Sequence, residues 1–223
     1  MTQIKHQTPT EKDGLIFIPD ISGFTKFVHD TDIKLGKEIA AELLSVMLHA
    51  NILHLQVSEI EGDAILFYRY GTPPTLRELM NQYELMLVAF KKKLVALKTK
   101  LHLPVLELSI KLIVHFGPIA EYKLCGFRKL YGETVVTAHH LLKNNIPSHN
   151  YILITKGFFN KAVNDEADTI ILPQWIKKQN FDIAANSYLG APFMYFLYDT
   201  EVLKLRVLNG DENNFITNTY DPH

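Results

Sequence analysis

The sequence has little cysteine, little net charge and no long apolar run, and each absence excludes a class of protein. Its single cysteine, Cys125, cannot form an internal disulfide, which indicates a reducing compartment. Lys and Arg total 23 against 24 Asp and Glu, so the basic excess typical of nucleic-acid-binding proteins is missing. No apolar run approaches the roughly 20 residues that span a bilayer, and the polar beginning lacks a signal peptide's apolar centre. We expect a cytoplasmic protein with no nucleic-acid or membrane partner.

The composition is that of a packed globular protein. Hydrophobic residues make up 47% and charged residues 21% of 223 residues, which suits one large domain with its own core. The sequence shows no internal repeat and no low-complexity tract. We predict a flexible leader over residues 1–13, a single domain over 14–200 and a polar tail over 201–223.

Hydrophobic periodicity predicts interleaved strands and helices. The predicted strands are 15–21, 55–60, 64–70, 106–119, 151–155 and 192–198, with a bent hairpin over 121–131. The predicted helices are a short one from Ser22, then 35–53, 75–101 and 132–145; residues 156–190 carry no clear pattern. Two of the connections are tight hairpins. The order therefore predicts an α+β fold of the ferredoxin-like sort, a mixed sheet with helices packed on one face.

Two aspartates lie where predicted strands end. Asp20 ends the first strand, and Asp63 follows Gly62 at the tip of the first hairpin. If this hairpin pairs beside the first strand, the carboxylates converge at one sheet edge, where each raises the pKa of the other. A divalent cation removes that conflict, and oxygen ligands without clustered His or Cys suit Mg²⁺ or Mn²⁺.

A glycine-containing turn follows Asp20 and opens the next helix. Backbone amides at such a turn can hold phosphate, and the predicted phosphate-contacting residues are Ser22, Gly23, Phe24 and Thr25. Carboxylates beside a phosphate cradle indicate a nucleoside triphosphate or a pyrophosphate ligand. Taken singly, each aspartate is better explained as an ordinary cap or turn residue.

Four segments resemble the motifs of class III adenylate and guanylate cyclases, in the order of that family across residues 14–155. The segments are FIPDISGFT at 17–25, EIEGDA at 59–64, HFGP at 115–118 and YGETVVTA at 131–138. The resemblance implies the nucleotide cyclase catalytic-domain fold. It also implies that Asp20 and Asp63, with the carbonyl of Ile21, bind two metal ions that serve the ribose hydroxyl and the triphosphate.

The resemblance also assigns the base-selecting positions and the oligomeric state. Glu59 stands where adenylate cyclases carry Lys and guanylate cyclases Glu, so it favours guanine. The second base-selecting position is Lys129, whose ammonium is expected to pair with Glu59 and fill the base pocket. Because active sites of this family form between two domains, we expect a homodimer or an unseen partner.

The chain departs from the family at the residues that stabilise the transition state. The family's Asn and Arg positions hold Val136 and His140, and neither can replace the lost hydrogen bonds or the guanidinium fork. We therefore identify no catalytic residue. The chain is predicted to be a degenerate cyclase-homology domain that binds metal and nucleotide in a regulatory role.

Two alternatives remain open. One is an active, guanine-leaning nucleotide cyclase, a phosphorus–oxygen lyase, or another metal-dependent phosphoryl-transfer enzyme in which His140 or Arg128 serves the phosphate. The other is a purely structural dimerisation domain, in which Asp20 and Asp63 are turn residues. The His139–His140 pair is predicted to consist of one packed and one solvated side chain, and His115 to be a packed core histidine.

Overall fold

The computed structural model describes residues 11–102, 107–163, 172–180, 187–188 and 191–208. The strands within these residues are β1 (Lys12–Ser22), β2 (Gln56–Glu61), β3 (Ala64–Tyr70), β4 (Ser109–Leu124), β5 (Phe127–Tyr131), β6 (Tyr151–Thr155), β7 (Ile176–Asn180), β8 (Ser187–Tyr188) and β9 (Ala191–Tyr198). The helices are α1 (Phe24–Asp30), α2 (Ile33–His49), α3 (Leu76–Leu101), α4 (Glu133–Leu141), α5 (Lys156–Ala162) and α6 (Thr200–Leu208). The predicted α+β class is confirmed.

The sheet runs in the order β2-β3-β1-β4-β6-β9-β7, with β5 paired to β4 and β8 to β9. Neighbouring strands are antiparallel except β4 and β6, which are parallel. The hairpin of β2 and β3 lies beside β1, as the sequence predicted. The second predicted hairpin is also present, and Cys125 and Gly126 form its turn at φ 49° and 87°.

The sheet has a hydrophobic core on each face. Along β1, Leu15 and Phe17 belong to one core, and Ile16 and Ile18 to the other, because successive side chains point to opposite faces. The first core is covered by α2, α3, α5 and α6. The second is covered by α4 through Val135, Ala138 and Leu141. The helices were predicted on one face, and the structure adds this helix on the other, where its apolar residues, spaced three apart, enter the second core.

The long helix α3 begins at a capping box. The Thr75 hydroxyl accepts from the Glu78 amide at 3.2 Å, and the Glu78 carboxylate accepts from the Thr75 amide at 2.8 Å. These reciprocal bonds satisfy amides that have no partner inside the helix. The sequence predicted both this box and the length of the helix.

Residues 156–190 were not assigned from the sequence, and the structure describes parts of them. Helix α5 buries Phe158, while β7 pairs with β9 at the edge of the sheet. The sequence of β7, IKKQN, is too polar for the alternation of a half-buried strand, and charged residues are common on edge strands. Where the predicted polar tail begins, α6 contributes Leu203 to the core.

None of the helices in the described part of the chain is long and apolar enough to cross a membrane.

Candidate metal and phosphate site

The fold brings Asp20 and Asp63 to one edge of the sheet. Asp20 lies near the end of β1, in register with Ala64 of β3 and Lys111 of β4. Asp63 occupies the two-residue turn before β3, where Gly62 has a φ of 59°. The Ile21 amide donates to the Asp63 carbonyl at 3.1 Å, so the turn is tied directly to β1. The convergence of the carboxylates therefore follows from strand register.

Both carboxylates are held in surroundings that disfavour their charge. Burial raises the pKa of Asp20, the cation of Lys111 opposes that rise, and the neighbouring Asp63 adds to it. Burial likewise raises the pKa of Asp63. The Lys111 ammonium lies 3.3 Å from Asp20 Oδ1 and also donates to the Leu142 carbonyl at 3.2 Å. Lys111 thus supplies part, and not all, of the positive charge that the pair requires.

A cavity of about 160 Å³ opens beside the two aspartates. Besides Asp20 and Asp63, its lining includes Glu59 and Glu61 of β2 and His139 of α4. Four carboxylates and one imidazole therefore face a small common space. A positively charged group is the expected complement of such a lining.

The side chains fit a cation that is shared with a phosphate ligand, and not a closed metal cage. Within the described residues, no set of three or more His, Cys, Asp or Glu side chains is arranged to hold a metal ion. Asp20, Asp63 and the Ile21 carbonyl would be the protein ligands of Mg²⁺ or Mn²⁺. Mg²⁺ is commonly held by one or two carboxylates, with phosphates and water completing its coordination. The donor set suits that arrangement.

The predicted phosphate turn lies directly after Asp20. Gly23 precedes α1 with a φ of 87°, and a Cβ there would approach the Glu107 carbonyl to 2.7 Å, so only glycine fits this position without strain. Ser22 is buried, and its hydroxyl has no hydrogen-bond partner in the part of the chain that the structure describes. Phe24 is half-buried and packs against the core, while Thr25 is exposed. Within the described residues, the Ser22 hydroxyl is the buried polar side-chain group of this turn that lacks a partner.

Glu59 and Lys129 form an ion pair between β2 and β5. The hydrogen bond and charge of Glu59 raise the pKa of Lys129. The side chains retain 20% and 41% of their exposure, so the pair remains accessible to water. The pairing predicted from the sequence is present, and it occupies the carboxylate that would otherwise be free to accept hydrogen bonds from a base.

Val136 and His140 lie on the exposed surface of α4. Val136 is 53% exposed, and neither residue lines the cavity beside the aspartates. Arg128, considered as a substitute for the missing arginine, pairs with Glu121 at 3.3 Å on the β4–β5 hairpin. No guanidinium among the described residues therefore lines that cavity.

Lys111 and His139 are the residues of this site that sequence reasoning missed. Lys111 occupies an intervening position of the alternation in β4, between Ile110 and Leu112, and only the register with β1 shows that it faces Asp20. His139 is half-buried and lines the aspartate cavity, while His140 is exposed. The prediction of one packed and one solvated histidine thus matches their burial. It did not include the position of His139 at the aspartate cavity.

The chain is similar in sequence to a family of unknown function and to a mycobacterial protein. A family model described as "Protein of unknown function (DUF2652)" matches residues 40–151. An uncharacterised protein of Mycobacterium tuberculosis strain H37Rv, Rv2561/Rv2562, is 28% identical over 124 residues. That alignment covers 52% of this chain and 56% of the mycobacterial protein, so the chain matches little more than half of that relative's length.

Solved structures of nucleotide cyclases resemble this chain. The guanylyl cyclase Cya2 superimposes with a TM-score of 0.62 at 14% identity, covering 85% of this chain and 93% of its own. A bacterial light-regulated adenylyl cyclase gives a TM-score of 0.54 at 13% identity, covering 91% and 99%. The catalytic core of a rhodopsin-guanylyl cyclase in complex with ATPαS gives 0.50 at 16% identity, covering 85% and 97%. At these identities the likeness establishes the fold, which is the one predicted from the four motifs.

The DUF2652 model covers half of the sequence, so the chain belongs to that family, and its fold is that of class III nucleotide cyclase domains.

Proposed function

We propose that this chain is a cyclase-homology module that binds a divalent cation and the phosphates of a nucleoside triphosphate without efficient cyclisation. The observation that carries the proposal is the convergence of Asp20, Asp63 and Lys111, while α4 presents valine and histidine where the resemblance expects Asn and Arg. The module then acts by binding, as a regulatory partner.

The proposed binding mode follows from charge. Asp20, Asp63 and the Ile21 carbonyl would hold Mg²⁺ or Mn²⁺, which when bound supplies positive charge to phosphate oxygens. Lys111, beside Asp20, offers a second cation to the same phosphates. The amides from Ser22 to Thr25 and the unpartnered Ser22 hydroxyl would donate to the remaining oxygens.

The proposed loss of cyclisation rests on Val136 and His140. Removing one hydrogen-bond donor that stabilises developing charge typically costs about 10²–10³ in rate. Valine has no donor, and a neutral imidazole cannot form the bidentate contacts of a guanidinium. Two such losses leave little turnover, while the phosphate-binding half of the site is unaffected.

We further propose that the module works as a homodimer. The β4–β5 hairpin carries exposed apolar side chains, those of Tyr122, Leu124 and Phe127 among them, and Val136 lies exposed on the helix that follows. Exposed apolar groups in one region are typical of interfaces. Sedimentation should show a dimer that Phe127→Glu dissociates, and a monomeric wild-type chain would contradict this part of the proposal.

Ligand-induced stabilisation tests the binding proposal. Mn²⁺ with GTP or ATP should raise the midpoint of thermal unfolding in wild type and not in Asp20→Ala or Asp63→Ala. Asp30→Ala, at an exposed aspartate outside the cavity, is the matched control and should respond like wild type. If no triphosphate shifts the midpoint, the purely structural dimerisation domain is the better account.

The alternative of an active cyclase or phosphoryl-transfer enzyme is favoured by one observation, the Lys111 cation 3.3 Å from Asp20. Incubation with GTP or ATP and Mn²⁺, followed by chromatography of the nucleotides, separates the two accounts. Rapid formation of a cyclic nucleotide that Asp20→Asn abolishes would show that the module is an enzyme.

A further inference from the structure

A second and larger cavity lies away from the aspartates. Its volume is about 670 Å³, within the range of roughly 300–1,000 Å³ that small-molecule sites occupy. It is formed by the end of β4, the beginning of α4, the end of β6 and the beginning of β9. Gly117, which lines it, is six residues along β4 from Lys111, a separation of about 20 Å at ~3.4 Å per residue. A ligand here would not touch the aspartate site.

The walls of this cavity are closely packed backbone. A Cβ at Gly117 would lie 2.7 Å from the Thr134 hydroxyl, which itself donates to the Pro118 carbonyl at 2.7 Å. A Cβ at Gly157 would lie 2.8 Å from the Phe116 carbonyl. Larger side chains cannot be accommodated at Gly117 and Gly157, so the closely packed fold sets this part of the cavity wall.

The polar groups of the lining carry negative charge and no cation. Glu11 and Glu133 line the cavity, and neither forms an ion pair within the described residues. No lysine or arginine of the described chain lines it. The exposed ring of Tyr131 adds an aromatic surface. A phosphate or carboxylate ligand would therefore meet repulsion without a counter-charge.

His115 contributes a neutral imidazole to the same lining. Its Nδ1 is hydrogen-bonded to the Thr155 hydroxyl at 2.8 Å, and burial lowers its pKa to about 4, so the ring is uncharged at neutral pH. The other ring nitrogen has no hydrogen-bond partner in the described part of the chain. The lining therefore offers two carboxylates, an aromatic ring and a neutral imidazole that can accept or donate.

We propose that this cavity is a second ligand site, which takes a small organic cation that carries a guanidinium or amine group and an apolar body. The cation pairs with Glu11 and Glu133, and its apolar body lies against Tyr131, where a positive charge near the ring face gains further attraction. The site is independent of the function proposed for the aspartates.

A charge-matched pair of probes tests this proposal in the full chain without metal or nucleotide. Benzylguanidine is cationic, and benzylurea has nearly the same shape without the charge. In ¹H–¹⁵N NMR titrations, benzylguanidine should give saturable shifts at residues 115–120 and 131–137, with a Kd at least about tenfold below that of benzylurea. Equal affinities, shifts confined to other residues, or no binding by benzylguanidine would overturn the proposal.

Variants separate specific binding from attraction to an acidic surface. Glu11→Gln with Glu133→Gln should raise the Kd of benzylguanidine to the level of benzylurea. Glu38→Gln, at an exposed glutamate on α2, is the matched control and should change it less than about twofold. Thr137→Phe, which fills the cavity from α4, should abolish the shifts. Retained affinity in the double glutamine variant would refute the proposed pairing even if Thr137→Phe fails to fold.

Discussion

Replacing Lys111 by methionine should weaken the folded chain and change the affinities for metal and for triphosphate in opposite directions. The Lys111 ammonium lies 3.3 Å from Asp20 Oδ1, and the side chains of Lys111 and Asp20 retain only 21% and 13% of their exposure. Methionine keeps much of the length and apolar stem of lysine and removes the charge. The substitution therefore isolates the electrostatic part of the contact.

The expected cost in stability is moderate. At an effective dielectric constant of about 20, two unit charges at this distance attract by about 5 kcal/mol, and desolvation offsets much of that. Without Lys111 the pKa of Asp20 rises further, so the carboxyl can take up a proton and limit the penalty. We expect a loss of about 2 kcal/mol, which lowers the midpoint of thermal unfolding by about 4–8 °C for a chain of this size.

The two ligands distinguish a structural lysine from one that belongs to the site. Mn²⁺ added alone must compete with the ammonium for Asp20, so Lys111→Met should bind Mn²⁺ about tenfold more tightly. The triphosphate loses a cation that faces its phosphates, so its affinity in the presence of saturating Mn²⁺ should fall about tenfold. Isothermal titration calorimetry measures both constants on the same preparations.

Three results would refute this reasoning. If Lys111→Met weakened the binding of Mn²⁺ alone, the ammonium would not be competing for Asp20. If triphosphate affinity were unchanged, Lys111 would be only a structural partner of Asp20. A double-mutant cycle with Asp20→Asn should show a coupling energy of about 1–2 kcal/mol in unfolding, and additive effects would contradict the contact itself.

Three further variants test the rest of the site. Burial raises the folded-state pKa of Asp63, so its contribution to stability is present at low pH and is lost as pH rises through that pKa. In EDTA, Asp63→Asn should therefore be more stable than wild type in urea unfolding at pH 7.5. The difference between their free energies of unfolding should shrink on acidification. Lys129→Ala frees the Glu59 carboxylate, so calorimetry should show a greater preference for GTP over ATP. Val136→Asn with His140→Arg should raise cyclic nucleotide formation, measured by chromatography, by at least about 10² over wild type.

The controls for these substitutions use the same assays. Saturating Mn²⁺ should reverse the order of stability of wild type and Asp63→Asn, and a gain that did not depend on pH would contradict an origin in the carboxylate charge. An unchanged GTP preference in Lys129→Ala would mean that the ion pair with Glu59 does not lie at the base. The gain in Val136→Asn/His140→Arg should vanish on adding Asp20→Asn, and a gain that persisted would come from a contaminating enzyme.

The strands and helices with strong periodicity were predictable because their signals are local. The capping box of Thr75 and Glu78 marks the start of α3 in sequence and structure alike. The placement of α4 on the second face was not predictable from periodicity, which shows that a helix has an apolar side and not which face of the sheet that side covers. The polar strand β7 was missed because its pairing with β9, and not its own residues, makes it a strand.

The candidate site shows the same division between local and register-dependent information. Asp20, Asp63 and the Gly23 turn were found because each lies in a recognisable local motif. Lys111 was missed because its proximity to Asp20 depends on the pairing of β1 with β4, two strands that are about 90 residues apart in the sequence. The register between distant strands depends on the packing of the whole sheet, so a local sequence pattern does not predict it.

The Glu59–Lys129 half and the Asp20–Asp63 half of the site differ in how far their charges are neutralised within the chain. Glu59 and Lys129 neutralise each other, so that half requires no ligand to be stable. Asp20 and Asp63 remain together in surroundings that raise the pKa of both, with one lysine between two carboxylates and a buried Ser22 hydroxyl without a partner in the described chain. A bound cation with its phosphate would neutralise the two carboxylates and give the Ser22 hydroxyl a hydrogen-bond partner. A purely structural dimerisation domain would do neither. The imbalance therefore supports the proposed binding of phosphate and metal at this site more than it supports recognition of a base.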